Sequence, residues 1–173
     1  MFFYYAAAAL EPTILALRPR RVLEISMSSN SGSRYGRLIS NCQRQALKNS
    51  NLKKLKTYID RIDLEAKIED DTKPYDRILP ISVLDDTENM DNYDLIMIAD
   101  LIEKLGEDTV KTFVLECLGY AKLLLIITMS NISVNDIFVG EKVSVKSTII
   151  QAIPNNFTIH TITNSNTASK HSF

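Results

Sequence analysis

The run YDLIMIAD, residues 93–100, decides the fold. After Asp94 it is apolar without interruption from Leu95 to Ala99, and an acid, Asp100, closes it. A strand covered on one face alternates apolar and polar residues. An unbroken run is buried on both faces, as in a parallel strand between two layers of helices. A second such run, AKLLLIITM, occupies 121–129. Between the two, over 107–121, Val110, Phe113, Val114, Cys117 and Leu118 recur at helical spacing. Strand, helix and strand in this order build a doubly wound α/β sheet.

Upstream, RVLEI (21–25) reads as a short strand. Residues 34–48 read as a helix with Leu38, Ile39, Cys42, Ala46 and Leu47 on one face. Residues 55–62 and 75–83 suit two more strands, the second with Pro80 near its end. Residues 10–18 suit a short helix that tolerates Pro12 in its first turn and stops at Pro19. The apolar start, MFFYYAAAAL, has no basic residue ahead of it and ends at Glu11 and Pro12. That is short of the ~20 helical residues that cross a bilayer. It reads as a packing helix or arm, docked either on the core or in a homodimer contact made by Phe2, Phe3, Tyr4 and Tyr5. Downstream, 143–153 reads as a helix ended by Pro154, FTIHTIT (157–163) as a strand, and SNTASKHSF as a second, short antiparallel strand.

A chain of 173 residues with 45% hydrophobic and 24% charged residues suits one packed domain. Its net charge of −1 leaves no basic footprint for nucleic acid and no polybasic membrane patch. Cys42 and Cys117 lack metal-ligand spacing and read as reduced thiols in a cytoplasmic protein. There is no zinc-site spacing, no Walker loop and no GxGxxG fingerprint, which disfavours hydride transfer by a dinucleotide enzyme.

In an open α/β sheet, ligands bind beyond the carboxyl ends of the strands, where the strand order reverses. Beyond the first strand stand Ser26, Met27, Ser28, Ser29, Asn30, Ser31, Gly32 and Ser33. Beyond the second stands Asp63, with Asp60 the alternative, and beyond the third Ser82 and Val83, then Asp85 and Asp86. Asp100 and Leu101 follow the fourth. Plainer readings stand beside these. Glu24 braces a neighbouring loop, Asp63 is one solvated acid among Asp60, Glu65, Glu69, Asp70 and Asp71, and Asp100 caps a helical turn with Glu103 at capping-box spacing. Lys104 reads as a solvated side chain and His160 as an ordinary, partly buried histidine.

VLEIS, RYGRLI and above all YDLIMIADLIEKL, followed by a helix and AKLLLIITM, resemble the class I S-adenosylmethionine-dependent methyltransferases. The resemblance covers roughly residues 13–130. It implies a mostly parallel, Rossmann-like sheet, completed by a last helix and two closing strands. It further implies one domain over 1–173: a helical arm (1–20), a cofactor-binding half (21–130), and a C-terminal helix with closing strands (131–173). By position, Glu24 matches the family's first-strand acid, which orients the loop and the amino-acid part of the cofactor. The loop with Ser26, Ser28, Asn30 and Gly32 matches the glycine-rich turn. Asp63 matches the acid that holds the ribose hydroxyls, Ser82 and Val83 the adenine contacts, and Asp100 and Leu101 the wall under the methionine portion.

The departures are specific. Ser26, Ser28 and Asn30 stand where the family usually has glycine, in a loop about three residues longer before Tyr35 and Gly36. Glycine serves there by allowing positive φ and close approach of backbone to ligand. Lys104 stands where the family often has histidine. The resemblance implies methyl transfer from S-adenosylmethionine to a small molecule or a protein. The alternatives are an inactive methyltransferase fold that acts as a binding or scaffolding subunit, and a Rossmann-like enzyme with another ligand.

Overall fold

A computed structural model of the chain describes residues 2–26, 29–49, 56–63, 74–80, 92–99, 101–128, 143–149 and 158–164. In chain order the elements are α1 (Phe2–Leu17), β1 (Arg21–Ser26), α2 (Ser29–Asn49), β2 (Tyr58–Asp63), β3 (Arg77–Leu79) and β4 (Tyr93–Ala99). They continue with α3 (Glu107–Tyr120), β5 (Ala121–Thr128), β6 (Val143–Ile149) and β7 (Thr158–Asn164). The strands form a seven-stranded sheet in the order β3-β2-β1-β4-β5-β7-β6. Pairing is parallel from β3 through β5, and β7 runs antiparallel to both of its neighbours.

The unbroken apolar runs are buried on both faces, as expected. Leu95, Met97 and Ala99 of β4 and Leu125 and Ile127 of β5 pack with Leu10 and Ile14 of α1 and Tyr35, Leu38, Ile39 and Cys42 of α2. Ile96, Ile98, Leu124 and Ile126 pack with Val110, Val114, Cys117 and Leu118 of α3. Alternation along each strand divides its side chains between these two cores. A fully buried Leu, Ile or Met contributes about 1.5–3 kcal/mol, so the central strands are the main source of stability.

The boundaries differ from the sequence reading in several places. First, α1 is one helix that runs through Pro12. Leu10 and Ile14, buried at 1% and 3% exposure on either side, anchor it while Pro12 faces solvent. The helix ends where Arg18 turns to φ 46, its N–H reaching the Ile14 carbonyl at 2.9 Å, and Pro19 blocks continuation. Second, α2 begins at Ser29, so most of the expected turn over 26–33 is helix. Ser and Asn are well suited to a helix start, and the buried stripe of Tyr35, Leu38, Ile39 and Cys42 holds the rest.

Third, 143–149 of the expected C-terminal helix is the strand β6, paired along its length with β7. Its β-branched residues (Val143, Val145, Thr148, Ile149) favour a pleated ribbon. Fourth, the turn after β4 (Ile102–Lys104) has its N-cap at Leu101, with no side-chain capping bond, and the expected cap Asp100 lies outside the described residues. Strand β3 is short and stops before Pro80, which has no N–H for the ladder. The strand expected within 165–173 lies outside the described residues, as do the side chains of Phe2, Phe3, Tyr4 and Tyr5. Among the described residues, no helix is long and apolar enough to cross a membrane.

Candidate functional site

The chain turns from β1 to β2 and β3 on one side and to β4 and β5 on the other. The strand order therefore reverses between β1 and β4, and their carboxyl ends are the topological switch point. Parallel register brings Ser26 level with Asp63 of β2 and with Ala99 of β4, the residue before Asp100. The ends of three strands thus converge where the sequence placed its candidates.

Ser26 is the last residue of β1 and is fully buried, and its hydroxyl has no hydrogen-bond partner. A buried hydroxyl in that state costs about 1–3 kcal/mol. Glu24 lies two residues earlier, about 7 Å along the strand, and is also fully buried. The Tyr75 hydroxyl donates to Glu24 Oε2 at 3.0 Å. Glu24 is level with Arg61 of β2, itself only 7% exposed. The Arg61 guanidinium lies 5.2 Å from the centre of the Tyr75 ring. Burial, and then the neighbouring Glu24 carboxylate, push the Tyr75 hydroxyl far above its ordinary pKa, against a smaller lowering by Arg61. The phenol therefore stays protonated and donates.

The other candidates distribute as follows. Asn30 and Gly32 lie in the first turn of α2. Asp63 ends β2. Leu101 is fully buried in the core that α3 covers. Ser28, Ser82, Val83, Asp85, Asp86 and Asp100 lie outside the described residues. Lys104 is exposed. The sequence reading missed Tyr75, 51 residues from the carboxylate it serves. It also missed the part played by Gly36, where an added Cβ would stand 2.7 Å from the Tyr75 ring.

Among the described residues, two cavities open at the opposite, amino edge of the sheet. One, of about 510 Å³, is lined by Arg21, Tyr58, Asp60, Asp76 and Arg77. Its polar groups are already joined. Asp60, 2% exposed, accepts from Arg77 Nε at 3.0 Å and Nη2 at 2.5 Å and from the Tyr93 hydroxyl at 2.9 Å. The other, of about 460 Å³, adjoins Asp94. Asp94 accepts from the Arg20 and Arg21 N–H groups at 2.8 and 3.1 Å and from Lys122 at 2.7 Å. Partial burial pushes the Asp94 carboxyl up, but the Lys122 and backbone bonds outweigh it and hold it below its ordinary value. These clusters brace the amino ends of β1, β2, β4 and β5. Among the described residues, no three His, Cys, Asp or Glu side chains are grouped to hold a metal.

No protein-family model matches this sequence, and no curated protein matches it significantly. Solved structures do match in three dimensions. The magnesium protoporphyrin IX methyltransferase ChlM from Synechocystis PCC 6803, with bound SAM, aligns over 91% of this chain and 77% of its own, with TM-score 0.58 and 11% identity. The methyltransferase domain of bacterial CtHen1-CN aligns over 93% and 96%, with TM-score 0.55 and 13% identity. The O-methyltransferase TomG from Streptomyces achromogenes, involved in tomaymycin synthesis and in complex with SAM, aligns over 92% and 79%, with TM-score 0.58 and 10% identity. The fold of this chain is therefore the Rossmann-like fold of the class I methyltransferases.

Proposed function

We propose that the chain binds S-adenosylmethionine at the carboxyl ends of β1, β2 and β4 and transfers its methyl group to a small-molecule or protein acceptor. The observation that carries this reading is the buried, unpartnered Ser26 hydroxyl at the switch point. A polar ligand group there would offset the cost of burying that hydroxyl, which supports the reading. Two of the matched structures hold SAM. Glu24 and Ser26 hold the amino-acid end, with Ser28, Asn30 and Gly32 in the same turn. Asp63 takes the ribose hydroxyls, Ser82 and Val83 the adenine, and Asp100 and Leu101 the wall beneath the methionine portion.

The bound cofactor supplies a methyl group on a sulfonium, already activated for displacement. The protein's work is then to align the acceptor and exclude water rather than to supply a strong base. We further propose a cytoplasmic, single-domain protein over 1–173, with Phe2, Phe3, Tyr4 and Tyr5 in a homodimer contact.

A thermal shift series with S-adenosylmethionine and S-adenosylhomocysteine tests the reading. A ligand at 100 times its Kd stabilises by about 2.7 kcal/mol. No shift with either compound at millimolar concentration overturns the proposal. A second reading, an inactive binding or scaffolding subunit, is favoured by Ser26, Ser28 and Asn30 in glycine positions and by Lys104. It predicts no stabilisation by either compound in the same series.

A further inference from the structure

We infer that Tyr75 is a positioning residue for the cofactor site, holding the Glu24 carboxylate in one orientation through a hydrogen bond that Gly36 makes room for. The inference rests on the proposed binding of S-adenosylmethionine and adds a residue that the sequence resemblance does not assign.

Four contacts fix the phenol. Asp76 beside it is pinned to β2 twice, by backbone and by side chain: its N–H donates to the Ile59 carbonyl at 2.7 Å, and its Oδ2 accepts from the Ile59 N–H at 2.9 Å. The ring is 8% exposed and packs in the core between α2 and the sheet. On one side it meets Gly36, where any side chain would lie 2.7 Å from ring carbons and 2.8 Å from the hydroxyl oxygen. On another it meets the Arg61 guanidinium at 5.2 Å. A phenol held in this way has little freedom to turn its hydroxyl away from Glu24, 3.0 Å distant.

Glu24 shares a strand face with the unpartnered Ser26 hydroxyl, two residues nearer the crevice. A carboxylate free to rotate loses orientation entropy when it receives a ligand, whereas one already fixed does not. The chain thus keeps glycine at 36 for the approach of a side chain, while serine and asparagine occupy 26, 28 and 30.

The test is calorimetric titration of S-adenosylhomocysteine into the wild type, Tyr75→Phe, Glu24→Gln and the double variant, with a melting curve for each. Tyr75→Phe keeps the ring and its packing and removes only the donor. It is expected to weaken binding about tenfold, the size of one hydrogen bond to a charged group. The double variant is expected to bind no worse than the weaker single variant, because both substitutions break one device. A purely structural tyrosine lowers the melting temperature and leaves the affinity of the folded protein unchanged.

Wild-type affinity in Tyr75→Phe, or a double variant whose loss is the product of the two singles, overturns the inference and leaves the proposed function standing. No uptake by the wild type overturns both. Where Tyr75→Phe does not fold, a fluorotyrosine at position 75 replaces it. Its fluorine resonance is expected to move on saturation with S-adenosylhomocysteine, and an unmoved resonance overturns the inference.

Discussion

Tyr93→Phe isolates one bond at the amino edge of the sheet. The Tyr93 hydroxyl donates to Asp60 Oδ2 at 2.9 Å, and both residues are 2% exposed. The phenylalanine ring fills the same space, so the variant loses the bond and little packing. A buried hydrogen bond to a charged group is worth about 1.5–3 kcal/mol. Asp60 keeps its two bonds from Arg77, which sets the loss near the lower figure, about 2 kcal/mol. For a chain of this length that lowers Tm by roughly 4–8 °C.

The pH profile gives a second reading of the same bond. Burial, and then the Asp60 carboxylate, push the Tyr93 hydroxyl well above its ordinary pKa. The folded chain therefore keeps a proton that the unfolded chain releases above about pH 10. Stability is fully present below that pH and falls as pH rises toward the folded-state pKa, by up to about 1.4 kcal/mol per pH unit for this group. Tyr93→Phe removes that share of the alkaline slope. Urea denaturation at pH 7 and across pH 9 to 11 measures both effects. Loss below about 0.5 kcal/mol together with an unchanged alkaline slope refutes the reasoning, because surface substitutions fall within that figure. S-adenosylhomocysteine affinity is expected to stay at the wild-type value, since Tyr93 begins β4 and lies roughly 20 Å along the strand from its carboxyl end.

Gly36→Ala drives a methyl group into the Tyr75 ring. It is expected to cost about 2–4 kcal/mol in urea denaturation, from overpacking and the strained bond to Glu24. A loss under about 0.5 kcal/mol would remove the ring from its assigned place. The Cys42 and Cys117 thiols are pushed up to about 11 and about 12, in each case by burial first and then by a nearby glutamate. Both are expected to resist alkylation at pH 8 until urea unfolds the chain, and rapid labelling of the native protein would contradict their burial. Asp94 has a lowered pKa, so its stabilising share is present above the unfolded value of about 3.9 and is lost as pH falls through the lower folded value. The stability gap between the wild type and Asp94→Asn is therefore expected at neutral pH and should close in acid, which acid-titrated melting curves will show.

The sheet's centre was legible in the sequence because Leu95–Ala99 and Leu124–Ile127 leave no polar side chain to face water. Two-sided burial is the reading that fits such a run. The choice of the strands' carboxyl ends as the site followed from the rule for open α/β sheets and from the resemblance. Two of the differences, the start of α2 and the strand β6, share a cause. Serine and asparagine at the start of α2 serve turns and helix starts alike, and the apolar residues of 143–153 fit either period at so short a length. Tertiary partners decided both: the core beneath α2, and β7 beside β6. Tyr75 carried no local signal at all. Its meaning depends on Glu24, Gly36 and Arg61, which converge only when β1, α2 and β2 pack together.

A crystal structure grown with S-adenosylhomocysteine examines the proposed site itself. Density is expected at the carboxyl ends of β1 and β4, with a polar ligand atom within hydrogen-bond distance of Ser26 Oγ. A ligand seated instead in the amino-edge cavity beside Asp60 and Arg77, or a crevice filled by the chain's own side chains, would contradict the proposed site.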